Sequence, residues 1–289
     1  MILVSGATGL VGGEVIKQLT KKGIRFRAMA HDPDKAQLIV GSNIEVVHGD
    51  YDNKESLDVA MKGVDHLFLL SNQVEMENKV VDAAVRARVG HIVKLSVLGA
   101  SPFSPVSFAH LHWISEKNIE NSGIPFTFIR PNYFMQNLFM QAFQIASEGK
   151  LYASMGEGRL SLVDVRDVAA VSVAALTEQG HDGRQYELTG HEALSGYEMA
   201  QMLSLAIRKP VAYVNISIED SRKAMLARGM QERRIEALLT AQEYFAKSYL
   251  ALTTPWVDKI IGRNPISFDR FARDYVDIFS GRRNPLRSE

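Results

Sequence analysis

The sequence predicts an α/β protein with a Rossmann-type, doubly wound parallel sheet and a smaller, mostly helical substrate lobe. In the first half of the 289 residues, apolar runs of strand length alternate with amphipathic stretches of helix length. Directly after the first apolar run, three glycines follow in the spacing G-x-x-G-x-x-G, from Gly6 to Gly12. This spacing is typical of the tight turn between the first strand and the first helix of such a sheet.

The alternation gives a βαβαβ order, which implies parallel strands joined by right-handed crossover helices. The runs predicted as strands are short and rich in branched residues, and they cover 2–5, 24–30, 44–48, 64–70, 91–97 and 125–130. The predicted helices between them cover 10–22, 33–40, 53–62, 76–89 and 109–122.

After residue 133 the pattern becomes less regular and mostly helical. We expect helices at 134–148, 195–208, 219–228, 230–252 and 267–279. Short strands are expected at 151–155, 160–163, 184–188 and 211–216.

Composition and charge exclude several classes of protein. Hydrophobic residues make up 46% of the chain and charged residues 23%, as in packed globular proteins. Lys and Arg (33) balance Asp and Glu (33), so no net charge draws the protein to nucleic acid or to an anionic membrane. The chain has no cysteine, which excludes disulfides, thiol nucleophiles and thiolate metal sites. We expect a cytoplasmic protein, because the sequence shows neither a signal-like start nor an apolar run of membrane-spanning length.

The glycine segment predicts a dinucleotide site. Glycine permits the tight turn, lets a pyrophosphate approach the backbone, and lets the helix pack closely on the sheet. Free N–H groups and the positive dipole at the start of the helix favour bound phosphates. We expect cofactor contacts at Gly6, Thr8, Gly9, Leu10 and Val11.

These features predict a division into two units. The NAD(P)-binding domain is expected to cover 1–133 together with about 160–178. The substrate lobe is expected to cover about 134–159 and 179–280. We expect the tail at 281–289 to be frayed.

The end of the second strand favours NADP over NAD. NAD-selective sites usually place a carboxylate there for the ribose hydroxyls, but this chain has His31. Asp32 follows, and because a proline comes next, Asp32 is expected to cap a helix. His31 and Lys35, with Arg27, are able to surround a 2′-phosphate, and each is also compatible with a simple surface role. NADPH is therefore the expected cofactor, and NAD stays open.

Further cofactor contacts are expected in loops at the carboxyl ends of the strands. The loop after the third strand is expected near the adenine, the next near the pyrophosphate and ribose, and the one after the fifth near the nicotinamide. The candidates, which include the segment after the sixth strand, are Asp50, Tyr51, Ser71, Asn72, Ser96, Val97, Pro131, Asn132, Tyr133 and Phe134. For Asp50 and Ser71, turn formation and helix capping are the alternative.

Several segments together resemble the NmrA-like group of atypical short-chain dehydrogenases/reductases, over almost the whole chain. They are GATGLVGG at 6–13, HDPDKA at 31–36, GDYDN at 49–53, HIVKLSVLGA at 91–100, HWISEKNIENSGIPFTFIRPNYFMQN at 112–137, LVDVRDVA at 162–169, TGHEALSGYEMAQML at 189–203 and FDRFARDYVDIF at 268–279. The resemblance implies an NAD(P)H-dependent reductase of quinones, triphenylmethane dyes or azo compounds. It also allows a redox-sensing regulator that binds the dinucleotide without turning it over.

The chain departs from this group at two places. NADPH-binding members commonly carry Arg where this chain has His31. The Tyr-x-x-x-Lys pair of short-chain dehydrogenases is missing: the matching stretch reads HWISE at 112–116, and no Tyr is followed four residues later by Lys. In enzymes with that pair, the Tyr protonates a carbonyl oxygen as hydride arrives. Its absence predicts a conjugated acceptor, whose own π-system spreads the incoming charge.

Three side chains are candidates for a catalytic role. His112 and Glu116 are four residues apart on one helix face, so Glu116 is able to orient His112 as a proton donor; a structural pair is the alternative. Tyr133 directly follows a strand and is expected to form a wall of the acceptor site. His110 does not share a helix face with His112, so no metal site is predicted.

Aromatic residues and methionines of the lobe offer material for a flat pocket, and we expect a small aromatic substrate. The members are Tyr133, Phe134, Met135, Phe139, Met140, Phe143, Met155, Tyr244, Phe245 and Tyr249. Except for the first two, such spacing is equally typical of a simple core. The competing function is a regulator whose lobe binds a protein partner, and a homodimer is compatible with both functions.

Overall fold

The computed structural model describes residues 1–41 and 43–284. Its strands are β1 (Ile2–Val4), β2 (Phe26–Ala30), β3 (Glu45–His48), β4 (His66–Leu69), β5 (His91–Leu95), β6 (Phe126–Pro131), β7 (Lys150–Ala153), β8 (Arg159–Leu160), β9 (Arg184–Leu188), β10 (Leu194–Ser195) and β11 (Ala212–Asn215).

The helices alternate with the strands in the first half and dominate the second. They are α1 (Leu10–Lys21), α2 (Pro33–Val40), α3 (Lys54–Ala60), α4 (Glu77–Ala87), α5 (Ser107–Asn121), α6 (Ala142–Glu148), α7 (Val165–Thr177), α8 (Gly196–Ile207), α9 (Ile218–Ala227), α10 (Glu232–Ala246), α11 (Trp256–Ile261), α12 (Phe268–Asp274) and α13 (Val276–Phe279). Short 3₁₀ segments cover Val74–Met76 and Met135–Gln141.

Seven strands form one parallel sheet in the order β3-β2-β1-β4-β5-β6-β9. Strand β1 lies where the order reverses, because Leu3 is paired with Arg27 of β2 on one side and with Leu67 of β4 on the other. The predicted Rossmann-type sheet is therefore confirmed, with all six strands of the first half in place. At such a reversal the loops leave the sheet towards opposite faces and open a crevice at its carboxyl edge.

Helices cover both faces of this sheet, as the alternation of strand side chains requires. Val4 of β1 packs in one apolar cluster with Val15 of α1 and Val171 of α7. Its neighbour Leu3 packs in a second cluster with Leu57 of α3. Because both faces are buried at the centre of the sheet, the central strands β1 and β4 are mainly apolar rather than alternating.

Two segments of the range expected to form the smaller lobe, 179–280, pack with the central sheet instead. The strand predicted at 184–188 is β9, which extends the central sheet and places Tyr186 opposite Ile129 of β6. Helix α11 has no predicted counterpart. Its Val257 is buried in the cluster of α1 and α7, and the Trp256 ring lies 5.2 Å from the Tyr186 ring, centroid to centroid. A sequence pattern identifies a strand or helix, but it does not identify the layer that the element joins.

The smaller lobe has an apolar core of its own and is mostly helical, as predicted. The Phe139 ring stacks on the Phe271 ring at 5.8 Å and meets the Tyr275 ring edge-on at 4.9 Å. Two short ladders, β7 with β11 and β8 with β10, complete the lobe. The helix expected at 134–148 begins as a 3₁₀ segment before α6, and the one expected at 267–279 divides into α12 and α13.

The end of the described chain is held by α13. The Arg283 N–H donates to the Asp277 carbonyl (2.9 Å), and the Arg282 guanidinium pairs with the Asp277 carboxylate (2.8 Å). Residues 281–284 are therefore bonded rather than frayed, and 285–289 lie outside the described residues. Among the residues described, no helix combines the length and hydrophobicity needed to cross a bilayer.

Helix α1 approaches the loop after β1 so closely that Gly12 has no room for a side chain. A Cβ at Gly12 would lie 2.1 Å from the Gly6 carbonyl oxygen, whereas a Cβ at Gly13 would lie 3.7 Å from the Ala7 carbonyl oxygen. We expect Gly12→Ala to lower the free energy of unfolding by about 1–3 kcal/mol, because the backbone must shift. The control Gly13→Ala should raise it by about 0.5–1 kcal/mol, because alanine favours a helix. Urea unfolding followed by circular dichroism measures both, and wild-type stability of Gly12→Ala would contradict the close approach.

Candidate active site

The loop after β1 is fixed to the end of β4. Ser5 is fully buried, with its Oγ 3.0 Å from the Phe68 and Leu70 carbonyl oxygens, and it accepts a hydrogen bond from the Leu70 N–H (2.8 Å). The next residue, Gly6, has a φ of +64°, and a Cβ there would lie 2.8 Å from Leu70 Cγ. Only glycine fits this conformation in this space. The glycine loop is therefore rigid.

Helix α1 begins behind this loop with an uncapped end. Gly9 is its N-cap residue, and no described side chain caps the helix or places an acid in its first turn. Thr8, Gly9 and Leu10 are exposed, whereas the Val11 side chain is buried in the core, so Val11 has only its N–H to offer. Uncapped N–H groups and the positive helix dipole together favour an anion at this place.

A cavity of about 650 Å³ lies beside the glycine loop at the carboxyl edge of the sheet. This volume is within the range of small-molecule sites. Met29, Ile39 and Leu70 give the cavity apolar walls. The predicted cofactor residues that line it are Gly6, Thr8, His31, Lys35, Asp50, Tyr51, Ser71 and Asn72.

At the end of β2, the capping role of Asp32 is confirmed. Its Oδ1 accepts a hydrogen bond from the Lys35 N–H (3.0 Å) at the start of α2. The His31 and Lys35 side chains are exposed at the cavity. Arg27, the third candidate for a 2′-phosphate, is engaged elsewhere: its Nε donates to Glu45 Oε1 (2.6 Å), and its Nη1 donates to two backbone carbonyls. Arg27 therefore does not belong to this site.

His48 is a second imidazole at this end, and it is not among the residues predicted from the sequence. Its Nδ1 donates to the His31 carbonyl (3.0 Å), and the two ring centroids are 5.8 Å apart. The only signal for it is the sheet register, which pairs Ala30 of β2 with His48 of β3. That register is a tertiary property, since the two strands are separated by a helix.

Asp50 and Ser71 line the cavity and also form turns. The Asp50 carboxylate accepts from the Asp52 N–H (2.9 Å), and the Ser71 hydroxyl accepts from the Gln73 N–H (2.8 Å). The turn-forming role considered for both residues is therefore realised. Burial raises the pKa of Tyr51 between them, so its phenol stays neutral.

Ser96 and Val97, predicted near the nicotinamide, follow β5 outside the lining of this cavity. Ser96 is buried (4% exposed), and among the residues described its Oγ has no hydrogen-bond partner. A buried hydroxyl without a partner is costly, so a ligand that completes the bond is favoured. Val97 packs beside it on an apolar cluster of Val106, Ala109 and Ala241.

The side chain of Asn132 has structural hydrogen bonds to three other residues. Its Nδ2 donates to the Ser161 hydroxyl and to the Leu250 carbonyl, both at 2.9 Å. Its Oδ1 accepts from the Tyr133 N–H (2.8 Å). Both N–H donors of the amide are engaged within the protein, and the cofactor contact predicted for Asn132 stays a prediction.

Phe134 and Pro131, which flank this segment, also have structural contacts. Phe134 packs against the core of the sheet domain and forms a β-bridge with Val163. The Pro131 carbonyl accepts a hydrogen bond from the Leu98 N–H (2.9 Å). These contacts draw the loops after β5 and β6 together at the edge of the sheet.

Glu116 does not orient His112. Instead, its carboxylate pairs with both arms of the Arg130 guanidinium, with Nε 2.9 Å from Oε1. Glu116 is 1% exposed, and a buried carboxylate gains most from a two-pronged charged partner. The structural role considered for Glu116 is thus realised, although with Arg130 of β6 rather than with His112.

His112 contacts a buried lysine. Lys94 Nζ lies 3.1 Å from His112 Nδ1, 2.8 Å from Glu77 Oε2 and 2.7 Å from the Leu95 carbonyl oxygen. The Ser115 hydroxyl donates to the same Glu77 carboxylate. We call Glu77, Lys94, His112 and Ser115 the Lys94 cluster.

Two pKa values in the Lys94 cluster are shifted. Burial lowers the pKa of His112 well below its ordinary value, and the nearby Lys94 ammonium lowers it further. Burial raises the pKa of Glu77, and Lys94 and Ser115 oppose that rise. The His112 imidazole is therefore neutral near pH 7.

Lys94 and Glu77 are absent from the residues predicted as functional, although one signal for them exists. Lys94 interrupts the apolar run at 91–97, and a charge in a strand buried on both faces requires a buried partner. The partner itself is not readable from the sequence, since Glu77 lies on a different element, α4.

Two members of the predicted aromatic pocket, Tyr133 and Phe245, are in contact. The Tyr133 ring meets the Phe245 ring of α10 edge-on, with the centroids 5.2 Å apart. Phe245 also packs on the apolar cluster that holds Val97. Burial raises the pKa of Tyr133, so this wall is uncharged. Met135, Phe139 and Met155 lie in the lobe core, whereas Met140, Phe143 and Tyr249 are exposed. The half-buried Tyr244 ring meets the Tyr249 ring edge-on, with the centroids 5.1 Å apart.

Comparison with known proteins gives a consistent result. Residues 1–267 match the model of the NmrA-like family. The NAD(P)H azoreductase of Xenophilus azovorans is 38% identical over 283 residues, which are 96% of this chain and 99% of that protein.

Two solved structures share the fold. The first is the NADPH-dependent quinone oxidoreductase of Escherichia coli complexed with NADPH (TM-score 0.86, 28% identity, covering 95% of this chain and 99% of that one). The second is the Citrobacter sp. triphenylmethane reductase complexed with NADP(H) (TM-score 0.85, 28% identity, covering 96% and 100%). Because the family model spans most of the chain and the azoreductase aligns along nearly all of it, the chain belongs to the NmrA-like family.

Proposed function

We propose that this chain is an NADPH-preferring reductase that transfers hydride to a small conjugated acceptor of the quinone, azo or triarylmethane-dye type. The observation that carries the proposal is the cavity at the carboxyl edge of the sheet, where the strand order reverses. The uncapped start of α1 lies beside this cavity, and the exposed His31 and Lys35 side chains line it. The names of the relatives support it, since they are an azoreductase, a quinone oxidoreductase and a triphenylmethane reductase.

The residues present fit the parts of NADPH. The exposed backbone of Thr8, Gly9 and Leu10 suits the pyrophosphate, and His31 and Lys35 flank the place of the 2′-phosphate. The unpartnered Ser96 hydroxyl suits the carboxamide end of the cofactor. When bound, the reduced nicotinamide supplies the hydride. The protein then has to hold the two reacting rings together and keep water away.

The acceptor side suits a flat, charge-delocalising molecule. Val97, Tyr133 and Phe245 offer an apolar wall, and the chain lacks the Tyr-x-x-x-Lys pair that would protonate an isolated carbonyl. A conjugated acceptor needs that donor less, because its own π-system takes up the charge. His112, which is neutral, is then the polar group available to assist.

Dinucleotide binding should depend on Gly9. Its φ of −86° suits any residue and a Cβ there would lie 3.3 Å from the Gly6 carbonyl oxygen, so Gly9→Val should still fold. Its side chain would occupy the pyrophosphate position and cost several kcal/mol, a rise in Kd of more than about 10²-fold. Fluorescence titration with NADPH measures this, with Gly13→Ala as the control. Unchanged affinity in a folded Gly9→Val protein would refute the assignment.

The preference for NADPH should depend on Lys35. A charge-assisted contact is worth roughly 1.5–3 kcal/mol, so Lys35→Gln should raise the Kd for NADPH about tenfold or more. The Kd for NADH should not change, because NADH has no 2′-phosphate. Lys17→Gln is a matched control, since Lys17 is exposed on α1 and, among the described residues, forms an ion pair only with Glu14. Equal or tighter binding of NADH by the wild-type protein would contradict the preference.

The acceptor class is tested by comparing a quinone or azo dye with a plain aliphatic ketone, without oxygen, through the loss of reduced-cofactor absorbance. We expect turnover of the conjugated acceptor and very slow reduction of the ketone. His112→Ala should lower kcat by at most about 10²–10³, the range of one assisting polar group. Tyr133→Ala should chiefly raise KM, because it removes binding area present before and during the reaction.

Two results would contradict this function. Rapid reduction of the aliphatic ketone would contradict the reliance on the acceptor's π-system. Tight NADPH binding without turnover of any acceptor would favour the regulator that only senses the dinucleotide.

A further inference from the structure

The hydrogen bonds of the Lys94 ammonium constrain where the His112 ring carries its proton. A lysine ammonium has three N–H donors and no acceptor. Lys94 Nζ has three acceptors in reach: the Glu77 carboxylate, the Leu95 carbonyl and His112 Nδ1. Lys94 and Glu77 are both fully buried, so water does not compete for these bonds.

We propose that Lys94 is a positioning residue that holds His112 as the neutral tautomer with its proton on Nε2. Because an ammonium donates hydrogen bonds and cannot accept one, the 3.1 Å contact requires that His112 Nδ1 accepts and carries no proton. The single ring proton of a neutral imidazole then lies on the other nitrogen. Lys94 acts through His112 alone, since it is buried and does not reach a substrate.

The charges around the ring agree with this assignment. From β5 the ring faces Lys94, and Glu77 of α4 balances that lysine at 2.8 Å. Glu116, one turn further along α5, is held by Arg130 of β6 and does not contact the ring. A proton added to Nδ1 would therefore bring a second positive charge against Lys94 with no carboxylate to meet it.

The role that follows rests on the proposed function. Ala109, one helical turn before His112, packs on the apolar cluster beside Val97 and Phe245. The proposal assigns His112, which follows Ala109 on α5, to the edge of the acceptor site, with its Nε2–H as the donor. Such a donor stabilises negative charge on an acceptor oxygen or nitrogen through a hydrogen bond, without adding a charge to the resting site.

The tautomer is tested directly by NMR, without any turnover. Long-range proton–nitrogen correlation spectra of protein labelled with ¹⁵N-histidine distinguish Nε2–H, Nδ1–H and the imidazolium, and His112→Gln assigns the signal among the eight histidines. At pH 7 we expect the wild-type His112 signal to be that of neutral Nε2–H. An Nδ1–H ring or an imidazolium would overturn the proposal.

Two variants separate positioning from folding. Lys94→Met alone leaves the Glu77 carboxyl buried without its partner, so the double variant Lys94→Met/Glu77→Gln removes both charges and keeps the volume. In the folded double variant we expect the His112 signal to become a mixture of both neutral tautomers. A pure Nε2–H signal there would show that Lys94 does not set the tautomer.

Kinetics of quinone reduction supply the second readout. In the double variant kcat should fall in proportion to the rings that lose their Nε2 proton, about twofold for an even mixture of tautomers, with NADPH affinity unchanged. Adding His112→Ala to it should lower kcat further, to the value of His112→Ala alone, because the rings that still carry the Nε2 proton are then removed as well. Lys117→Met is the control and should keep wild-type kcat, because Lys117 is an exposed lysine on α5, the helix that carries His112. Wild-type kcat in a double variant with altered tautomer would overturn the positioning role.

Failure of the proposed function is distinguishable from failure of this inference. A wild-type protein that reduces no acceptor contradicts the function, whereas the NMR spectra decide the assignment of the His112 proton by themselves.

Discussion

The close approach of helix α1 to the loop after β1 is the contact on which the nucleotide end of this protein depends. It exists because Gly12 has no side chain and because Gly6 adopts a left-handed conformation that leaves Leu70 undisturbed. Ser5 then ties the loop to β4, across the point where the strand order reverses. The uncapped start of α1 is held beside the cavity as a result, and its dipole is directed at the place where phosphates are expected.

The two halves of the crevice differ in their chemistry. The half next to β2 and β3 combines apolar walls with polar turns, the latter shown by the Asp50 and Ser71 hydrogen bonds to their own loops. The half after β5 and β6 is apolar, with Val97 and Phe245 on one cluster and a single buried hydroxyl, Ser96, left without a partner among the residues described. This contrast suits a molecule with a charged, hydrophilic end and a flat, reactive end.

Buried charges connect the sheet to α4 and α5. The Lys94–Glu77 pair and the Arg130–Glu116 pair each join a strand to a helix in the interior. Such pairs contribute little net stability, because desolvation offsets most of the attraction. A buried charge left without its partner is nevertheless strongly destabilising, so both partners must be in place in the folded protein. The Arg130–Glu116 pair, with the Ser115 and His112 contacts to Glu77 and Lys94, therefore fixes the position of α5, and with it the position of His112.

Features encoded by neighbouring residues were predictable from the sequence, and features that depend on contacts between distant elements were not. The order of strands and helices, the glycine turn and the cap of α2 by Asp32 all follow from periodicity or from residues within one turn of each other. Eight of the eighteen residues that line the cavity were likewise predicted, because the loops after parallel strands meet at one edge.

Other features were decided by the tertiary structure alone. Helical spacing suggested that Glu116 orients His112, but the Glu116 carboxylate pairs instead with Arg130 of β6. Arg27 pairs with Glu45 and not with groups of the cavity, and the sheet register places His48 beside His31. A buried charged side chain pairs with the opposite charge that packing brings next to it, and here that partner lies on an element distant in sequence. The sequence by itself therefore determined the fold and the location of the site, whereas the pairing of charges within the site was decided only when the chain folded.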